Sequence, residues 1–319
     1  MKLLVLGGGR FFGAALVDAA VADGHEVATV QRGQTSRAVP DAVECLRGDR
    51  EVDLTELLAG REFDIVIDTC GYVPRVVRIS ATSLADRVGR YCFISSISAY
   101  APAPHGRFVE GVSPLCEGTV ASEEVTGDTY GSLKVACEQV VQELFGDRAL
   151  IVRPGLIVGP NDPTDRFTYW PRRLSLPGPI LMPVGPDYLF QIIDARDLGR
   201  FVLDLCVAGR GGAVNAVGHD LTFGQLVAAC APSAEIVWAP QAWLLERGVA
   251  PWSELPLWLT TDDNLLASNE RALAWGLAPR SLEMTTADTL AWDIARGLPD
   301  MPSTLSTPRE TALLSALRG

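Results

Sequence analysis

Lys2-Leu3-Leu4-Val5-Leu6-Gly7-Gly8-Gly9-Arg10-Phe11-Phe12-Gly13 decides how the rest of the chain is read. Residues 3–6 are an apolar run that stops at glycine, the pattern of a strand buried on both faces of a parallel sheet. Residues 12–22 follow with helical spacing, and Gly24-His25 closes that helix before a second strand at 26–30. Glycines between a first strand and a first helix let the backbone approach a pyrophosphate, and the helix N-terminus adds amides and a favourable dipole. Gly7, Gly9, Phe11, Phe12 and Gly13 are therefore candidate dinucleotide contacts. The middle place of a Gly-x-x-Gly-x-x-Gly spacing falls on Arg10, and a cofactor phosphate nearby gives an arginine a reason to be there.

Outward from this turn the chain alternates. Strands are expected at 42–46, 64–68, 90–94, 149–152 and 213–216, with helices at 75–88, 129–145 and 195–207. That rhythm predicts an α/β Rossmann fold, a doubly wound parallel sheet whose ligands bind beyond the carboxyl ends of the strands. Residues 160–193 and 217–319 break the rhythm, with shorter helical segments at 223–230, 269–275 and 285–296 and many Pro and Trp residues. The expected division is a dinucleotide-binding domain, 1–160 plus 194–216, and a smaller substrate-binding domain, 161–193 plus 217–319.

The second strand ends in Gln31-Arg32-Gly33. NAD enzymes usually place an acid there for the ribose hydroxyls, and a carboxylate would repel a 2′-phosphate. Arginines at 10 and 32 would grip that phosphate instead, so NADP(H) is favoured over NAD(H). Asp49, after the third strand, has two readings, an adenine contact or an acid in an exposed turn.

Composition narrows the function classes. A net charge of −12 and no basic cluster argue against a nucleic-acid partner. Seven cysteines without a Cys-x-x-Cys pair read as free thiols of a reducing compartment, and three dispersed histidines give no metal-ligand spacing. The N-terminal apolar run is too short for a secretory leader, and no stretch is long enough for a membrane span, so a cytoplasmic protein is expected.

Tyr130-Gly-Ser-Leu-Lys134 puts a phenol and an amine four residues apart on one helix face. With six tyrosines and only two lysines in 319 residues, that spacing is uncommon by chance. A phenol is a poor base at neutral pH, and a neighbouring ammonium is expected to lower its pKa. The run Phe93-Ile94-Ser95-Ser96-Ile97-Ser98-Ala99-Tyr100 ends another strand and offers three hydroxyls.

The glycine turn, Ser-Ser-x-Ser-x-Tyr, Tyr-x-x-x-Lys, Arg153-Pro154 with Gly159-Pro160, and Asp194-x-x-Asp197-Leu198 occur in order. Residues 1–216 thereby resemble the short-chain dehydrogenase/reductase superfamily, in its extended NAD-dependent epimerase/dehydratase branch with atypical relatives. The resemblance implies that Tyr130 gives or takes a proton, Lys134 lowers its pKa and Ser96, four residues before Tyr100, is the hydroxyl partner. It also implies cofactor contacts at Cys70, Gly71, Ser95, Tyr130, Lys134 and Pro154, and a homodimer is common among relatives.

Two departures bear on the substrate. Sugar-nucleotide dehydratases follow the active hydroxyl with Asp-Glu, where this chain has Ile97 and Ser98. Epimerases and dehydratases commonly carry asparagine where Leu156 stands. Ser98, Leu156, Arg166, Tyr169 and Trp170 are candidate substrate contacts, although the segment 161–173 also reads as inter-domain packing, and Arg172 shares with Arg166 the option of meeting an acidic group. The expected activity is NADP(H)-dependent reduction of a small-molecule carbonyl or imine. Two alternatives stand: an NAD-dependent nucleotide-sugar epimerase, and a non-catalytic member that binds RNA or regulates.

Overall fold

The structure, a computed structural model, describes residues 1–33, 39–102, 106–119, 122–231, 233–260 and 266–318. The first half runs β1 (Lys2–Leu6), α1 (Phe11–Ala22), β2 (Glu26–Gln31), β3 (Val43–Arg47), α2 (Leu54–Leu57), β4 (Phe63–Asp68), α3 (Pro74–Leu84) and β5 (Val88–Ile94). After a single 3₁₀ turn, Ile97–Ala99, come α4 (Tyr130–Phe145), β6 (Ala149–Pro154), β7 (Leu156–Val158), α5 (Tyr169–Ser175), β8 (Ile180–Pro183) and β9 (Leu189–Asp194). Then follow α6 (Ala195–Val207), β10 (Gly212–Ala216), β11 (Asp220–Thr222), α7 (Phe223–Cys230), β12 (Ile236–Ala239) and α8 (Gln241–Glu246). The described elements close with α9 (Glu270–Ala274), α10 (Leu282–Ala295) and α11 (Thr307–Arg318).

Two compact units result. The first comprises Met1–Ile157, Ala195–Val217 and Ala267–Ala278. Its seven strands are all parallel, in the order β10-β6-β5-β4-β1-β2-β3. This is the Rossmann-like α/β arrangement expected from the alternation. The strands read as apolar runs because helices cover both faces: α1 and α6 pack together, as do α3 and α4. One core lies under α3 and α4, where Leu4, Val66, Tyr91 and Phe93 meet Val77, Leu84, Val141 and Phe145. Strand order reverses at β1, which lies between β2 and β4. The carboxyl ends of β1, β4 and β5 are thus where a ligand of such a sheet sits.

The second unit comprises Val158–Asp194, Gly218–Leu266 and Pro279–Gly319. It holds a parallel pair, β8 with β12, and an antiparallel pair, β9 with β11. Its interior is aromatic, with Phe223 beside Trp170, Tyr188 and Phe190 at centroid distances of 5.8, 5.3 and 5.5 Å. Buried ion pairs tie its helices: Arg172 to both oxygens of Asp293 at 2.5 and 2.6 Å, and Arg173 Nε to Glu310 at 2.7 Å.

Two details differ from the sequence reading. The helix expected over 75–88 ends at Leu84, because Arg87 N turns back to Leu84 O and Val88 already pairs with Phe63 in the sheet. The segment 267–278, assigned by sequence to the smaller domain, belongs to the first unit. There α9 lies along β10, Arg271 Nη1 donates to Ala213 O at 2.7 Å, and Ala267 bridges Phe108. Among the described residues no helix is long and apolar enough to cross a membrane.

Candidate active site

The glycine turn is shaped by what it excludes. Gly7 has φ +90°, and a Cβ there would lie 2.6 Å from Thr69 Oγ1. A Cβ on Gly13 would lie 2.3 Å from Gly7 O, so only glycine lets the first turn of α1 close onto the loop. Phe11, between them, holds the left-handed φ of +40°, backbone strain of the kind kept at ligand sites. Arg10 is the N-cap of α1 and makes no side-chain cap, and no acid stands in the first turn. The leading amides of a twelve-residue helix are left for another acceptor. The uncapped helix start and the side-chain-free turn suit a dinucleotide pyrophosphate by charge.

Around it stand exposed arginines. Arg10 and Arg32 are exposed, and neither side chain has a hydrogen bond or ion pair with a described residue. A third, Arg47, was not singled out by the sequence. It ends β3 opposite Gln31, is exposed, and its Nε lies 4.0 Å from where a Gly33 Cβ would be. Asp49 is half-buried, and its Oδ1 accepts the Glu51 amide at 2.9 Å.

Asp68, at the end of β4, is wholly buried and also went unread. It accepts two hydrogen bonds from Arg50, both at 2.7 Å, one from Tyr91 at 2.8 Å and one from Cys70 N at 3.1 Å. Burial raises the Asp68 carboxyl, but Arg50 beside it, with Tyr91 and the Cys70 amide, holds it below the ordinary value. The turn that follows, Cys70-Gly71-Tyr72, is pressed onto β5, since a Gly71 Cβ would lie 2.5 Å from the Phe93 ring.

The catalytic candidates meet at β5 and α4. Thr126 and Thr129 exchange hydrogen bonds of 2.9 and 3.3 Å that set up the start of α4. Gly131 then allows close approach, because a Cβ on it would lie 2.2 Å from Ser98 O. That contact brings Tyr130 onto the strand-end serines, with the Ser96 hydroxyl near enough to its phenol to favour the phenolate form. Ser96 Oγ also accepts Ser98 N at 3.1 Å. One turn further, Lys134 is 2% exposed and its Nζ donates to Gly71 O at 2.8 Å and Ile94 O at 2.9 Å.

Electrostatics here run against the sequence expectation. Burial pushes the Tyr130 phenol up to about 12, with Tyr72 adding to the rise and Ser96 opposing it. Burial also brings the Lys134 ammonium down to about 8, against Cys137, Asp68, Cys70 and Glu138, which favour its charge. The phenol thus lies above its ordinary value, opposite to the lowering expected from its lysine, because desolvation dominates.

Behind the serines runs a buried network that the spacing did not reveal. Ser95 Oγ donates to Glu138 Oε1 at 2.5 Å, and Arg153 donates to both Glu138 oxygens at 2.9 and 2.6 Å. Arg153 Nη1 reaches Tyr100 OH at 3.0 Å, which donates to Asn215 Oδ1 at 2.8 Å. Asn215 N donates to Glu110 Oε1 at 2.6 Å. Four segments that carry the site, β5, α4, β6 and β10, are fixed to one another by these bonds.

The structure therefore gathers Ser95, Ser96, Ser98, Tyr130, Lys134 and Gly71, with Cys70 one residue from that carbonyl. Pro154 is buried at the end of β6, and Leu156 is half-buried in β7. In the second unit, Trp170 is fully buried with Nε1 donating to Pro256 O at 2.8 Å, the setting of a core residue. Tyr169 is buried and its hydroxyl has no partner among the described residues, while the Arg166 guanidinium lies 5.3 Å from the Trp252 ring centroid. Arg172, the other arginine considered for an acidic ligand, is engaged by Asp293 and Pro299 O.

A sequence model of the NAD dependent epimerase/dehydratase family matches residues 3–217. The chain is 32% identical over 240 residues to 2′-dehydrokanamycin reductase of Streptomyces kanamyceticus, covering 71% of this chain and 64% of that protein. It is 26% identical over 259 residues to chloroplast stem-loop binding protein of 41 kDa b of Arabidopsis thaliana, covering 74% and 65%. The match thus spans just under two thirds of either relative. Among solved structures, the Bordetella bronchiseptica enzyme WbmH in complex with NAD+ superposes with a TM-score of 0.69 at 17% identity, over 93% of this chain and 99% of that one. Thermus thermophilus UDP-glucose 4-epimerase in complex with NAD gives 0.65 at 20%, over 94% and 100%.

Proposed function

The chain belongs to the NAD dependent epimerase/dehydratase family, and from that premise we propose that it is an NADPH-dependent reductase of a small-molecule carbonyl or imine. The observation that carries the reading is the placement of Tyr130 beside Ser96, with the buried Lys134 ammonium 5.8 Å from the Tyr130 ring centroid. A bound dinucleotide supplies the hydride. Tyr130, protonated through the neutral range, gives its proton to the oxygen or nitrogen on which charge develops. Ser96 offers that atom a second hydrogen bond, and Lys134 steadies the phenolate left behind.

Preference for NADPH rests on Arg10 at the start of α1, Arg32 after β2 and Arg47 at the end of β3, all exposed, and on the lack of an acid directly after β2. A guanidinium without an intramolecular acid partner suits a 2′-phosphate. Reduction is favoured over epimerisation by Ile97, Ser98 and Leu156, which lack the polar groups that sugar-nucleotide enzymes use. The reductase name of the relative sharing 32% identity points the same way. A charge of −12 weighs against an RNA-binding role.

The test is turnover. Purified protein given NADPH and a panel of ketones and imines should consume cofactor in proportion to product. Tyr130→Phe should lower kcat by roughly 10²–10⁴-fold while leaving NADPH binding intact. Interconversion of a nucleotide sugar without added nicotinamide would replace this reading with the epimerase one.

A further inference from the structure

A buried ammonium has three N–H groups to satisfy. Lys134 gives two of them to Gly71 O and Ile94 O, and no third acceptor is found among the described residues. Three ring faces surround what is left: Tyr72 at 4.7 Å from Nζ to centroid, Phe93 at 5.0 Å and Tyr130 at 5.8 Å. Phe93 belongs to the sheet core and Tyr130 to the reaction. Tyr72 is different: it sits in the β4–α3 turn, 47% exposed, with no core to fill. The turn that lays its ring over the amine also supplies the Gly71 carbonyl. Both depend on Gly71 having no side chain, given the 2.5 Å approach to Phe93.

We propose that Tyr72 is a positioning residue of this site, whose ring faces the Lys134 ammonium and keeps it charged beside the Tyr130 phenol. The inference rests on Tyr130 and Lys134 being the catalytic pair. The other groups facing the ammonium are Cys137, Glu138 and Tyr130 on α4, Asp68 at the end of β4 and Cys70 in the turn. β5 adds only the Phe93 ring and the Ile94 carbonyl. An aromatic face favours the charged amine without adding a charge of its own, so it holds Lys134 without drawing it away from the phenol.

The chain is well suited to the experiment, having just two lysines, Lys134 and the exposed Lys2. Lysine labelled with carbon-13 at Cε gives two resonances, one of them an internal reference. Their titration would be followed in wild type, Tyr72→Trp, Tyr72→Phe and Tyr72→Leu, beside the pH profile of kcat. The Lys134 midpoint should fall by about one pKa unit in Tyr72→Leu, hold in Tyr72→Phe and rise in Tyr72→Trp. The alkaline limb of kcat should move with it. Equal midpoints in all four proteins would overturn the proposal, as would a shift in Tyr72→Phe as large as in Tyr72→Leu, which would assign the effect to the hydroxyl. Should Tyr72→Leu fail to fold, the Trp and Phe variants against wild type decide. The titration needs no substrate, so a shifted midpoint with no carbonyl turnover would keep this inference and sink the reductase reading.

Discussion

The carboxyl edge of the seven-stranded sheet is built in two ways. At β1 and β2 the chain offers backbone amides, glycines and exposed arginines that pair with nothing in the described chain. At β5, α4 and β6, polar side chains are buried and joined, from Ser95 through Glu138 and Arg153 to Tyr100 and Asn215. The first arrangement leaves charge open for a ligand that brings its own countercharge. The second fixes atoms that must keep their geometry while a proton moves. On the proposed reading one end recognises and the other positions, and substitutions should separate the two.

The largest effect is expected at the buried pair. Glu138→Ala leaves the Arg153 guanidinium, 5% exposed, without its acid. Urea denaturation should show a loss of about 3–5 kcal/mol. A loss below about 1 kcal/mol, the value of an exposed pair, would break the contrast between the two ends.

Next comes Lys134. Its folded pKa of about 8 lies below the ordinary 10.5, so the unfolded chain binds the proton more tightly. Stability from this group therefore rises with pH between those values. The stability of wild type minus that of Lys134→Met should climb across that window by on the order of 3 kcal/mol. A flat difference would show that the amine is better solvated than its 2% exposure implies.

Gly13→Ala sharpens the comparison from the other side, because backbone rather than side chain is at stake. The added methyl meets Gly7 O at 2.3 Å, which can move only with the loop. A loss of about 1–3 kcal/mol, together with loss of NADPH binding, is expected from denaturation and fluorescence titration.

Arg32→Ala should be the mildest, within about 0.5 kcal/mol on stability, since the side chain is exposed and pairs with no described residue. NADPH affinity should nevertheless drop roughly tenfold, with NADH affinity unchanged. Equal loss for both cofactors would remove Arg32 from the phosphate site.

The sheet was legible because strands buried on both faces read as apolar runs, and Tyr-x-x-x-Lys because its two members lie one helical turn apart. What escaped depends on topology. Arg50 and Asp68, or Glu138 and Arg153, stand 18 and 15 positions apart and meet only once the strands are ordered. A charged residue inside an otherwise apolar strand, as at Arg153, was the available signal that a partner must exist. Spacing likewise revealed that Lys134 neighbours Tyr130 but not how dry the site is, so the direction of the phenol shift was misjudged. The second unit was hardest to read, since its strands are short and its order comes from Arg–carboxylate pairs and stacked aromatics.

Placement of 267–278 against β10 has a consequence for how the protein is made. The polypeptide passes between the two units five times, and the last piece of the first unit is Ala267–Ala278. A ribosome that has just completed β10 must still add 218–278 before Arg271 can reach Ala213 O and α9 can cover that strand. At about 5–20 residues per second this takes roughly 3–12 s. Through that interval the nascent sheet carries an uncapped outer strand, the kind of edge on which neighbouring chains pair. Slowing translation across 218–278 should thus increase aggregation of the newborn chain, while slowing it after residue 278 should not.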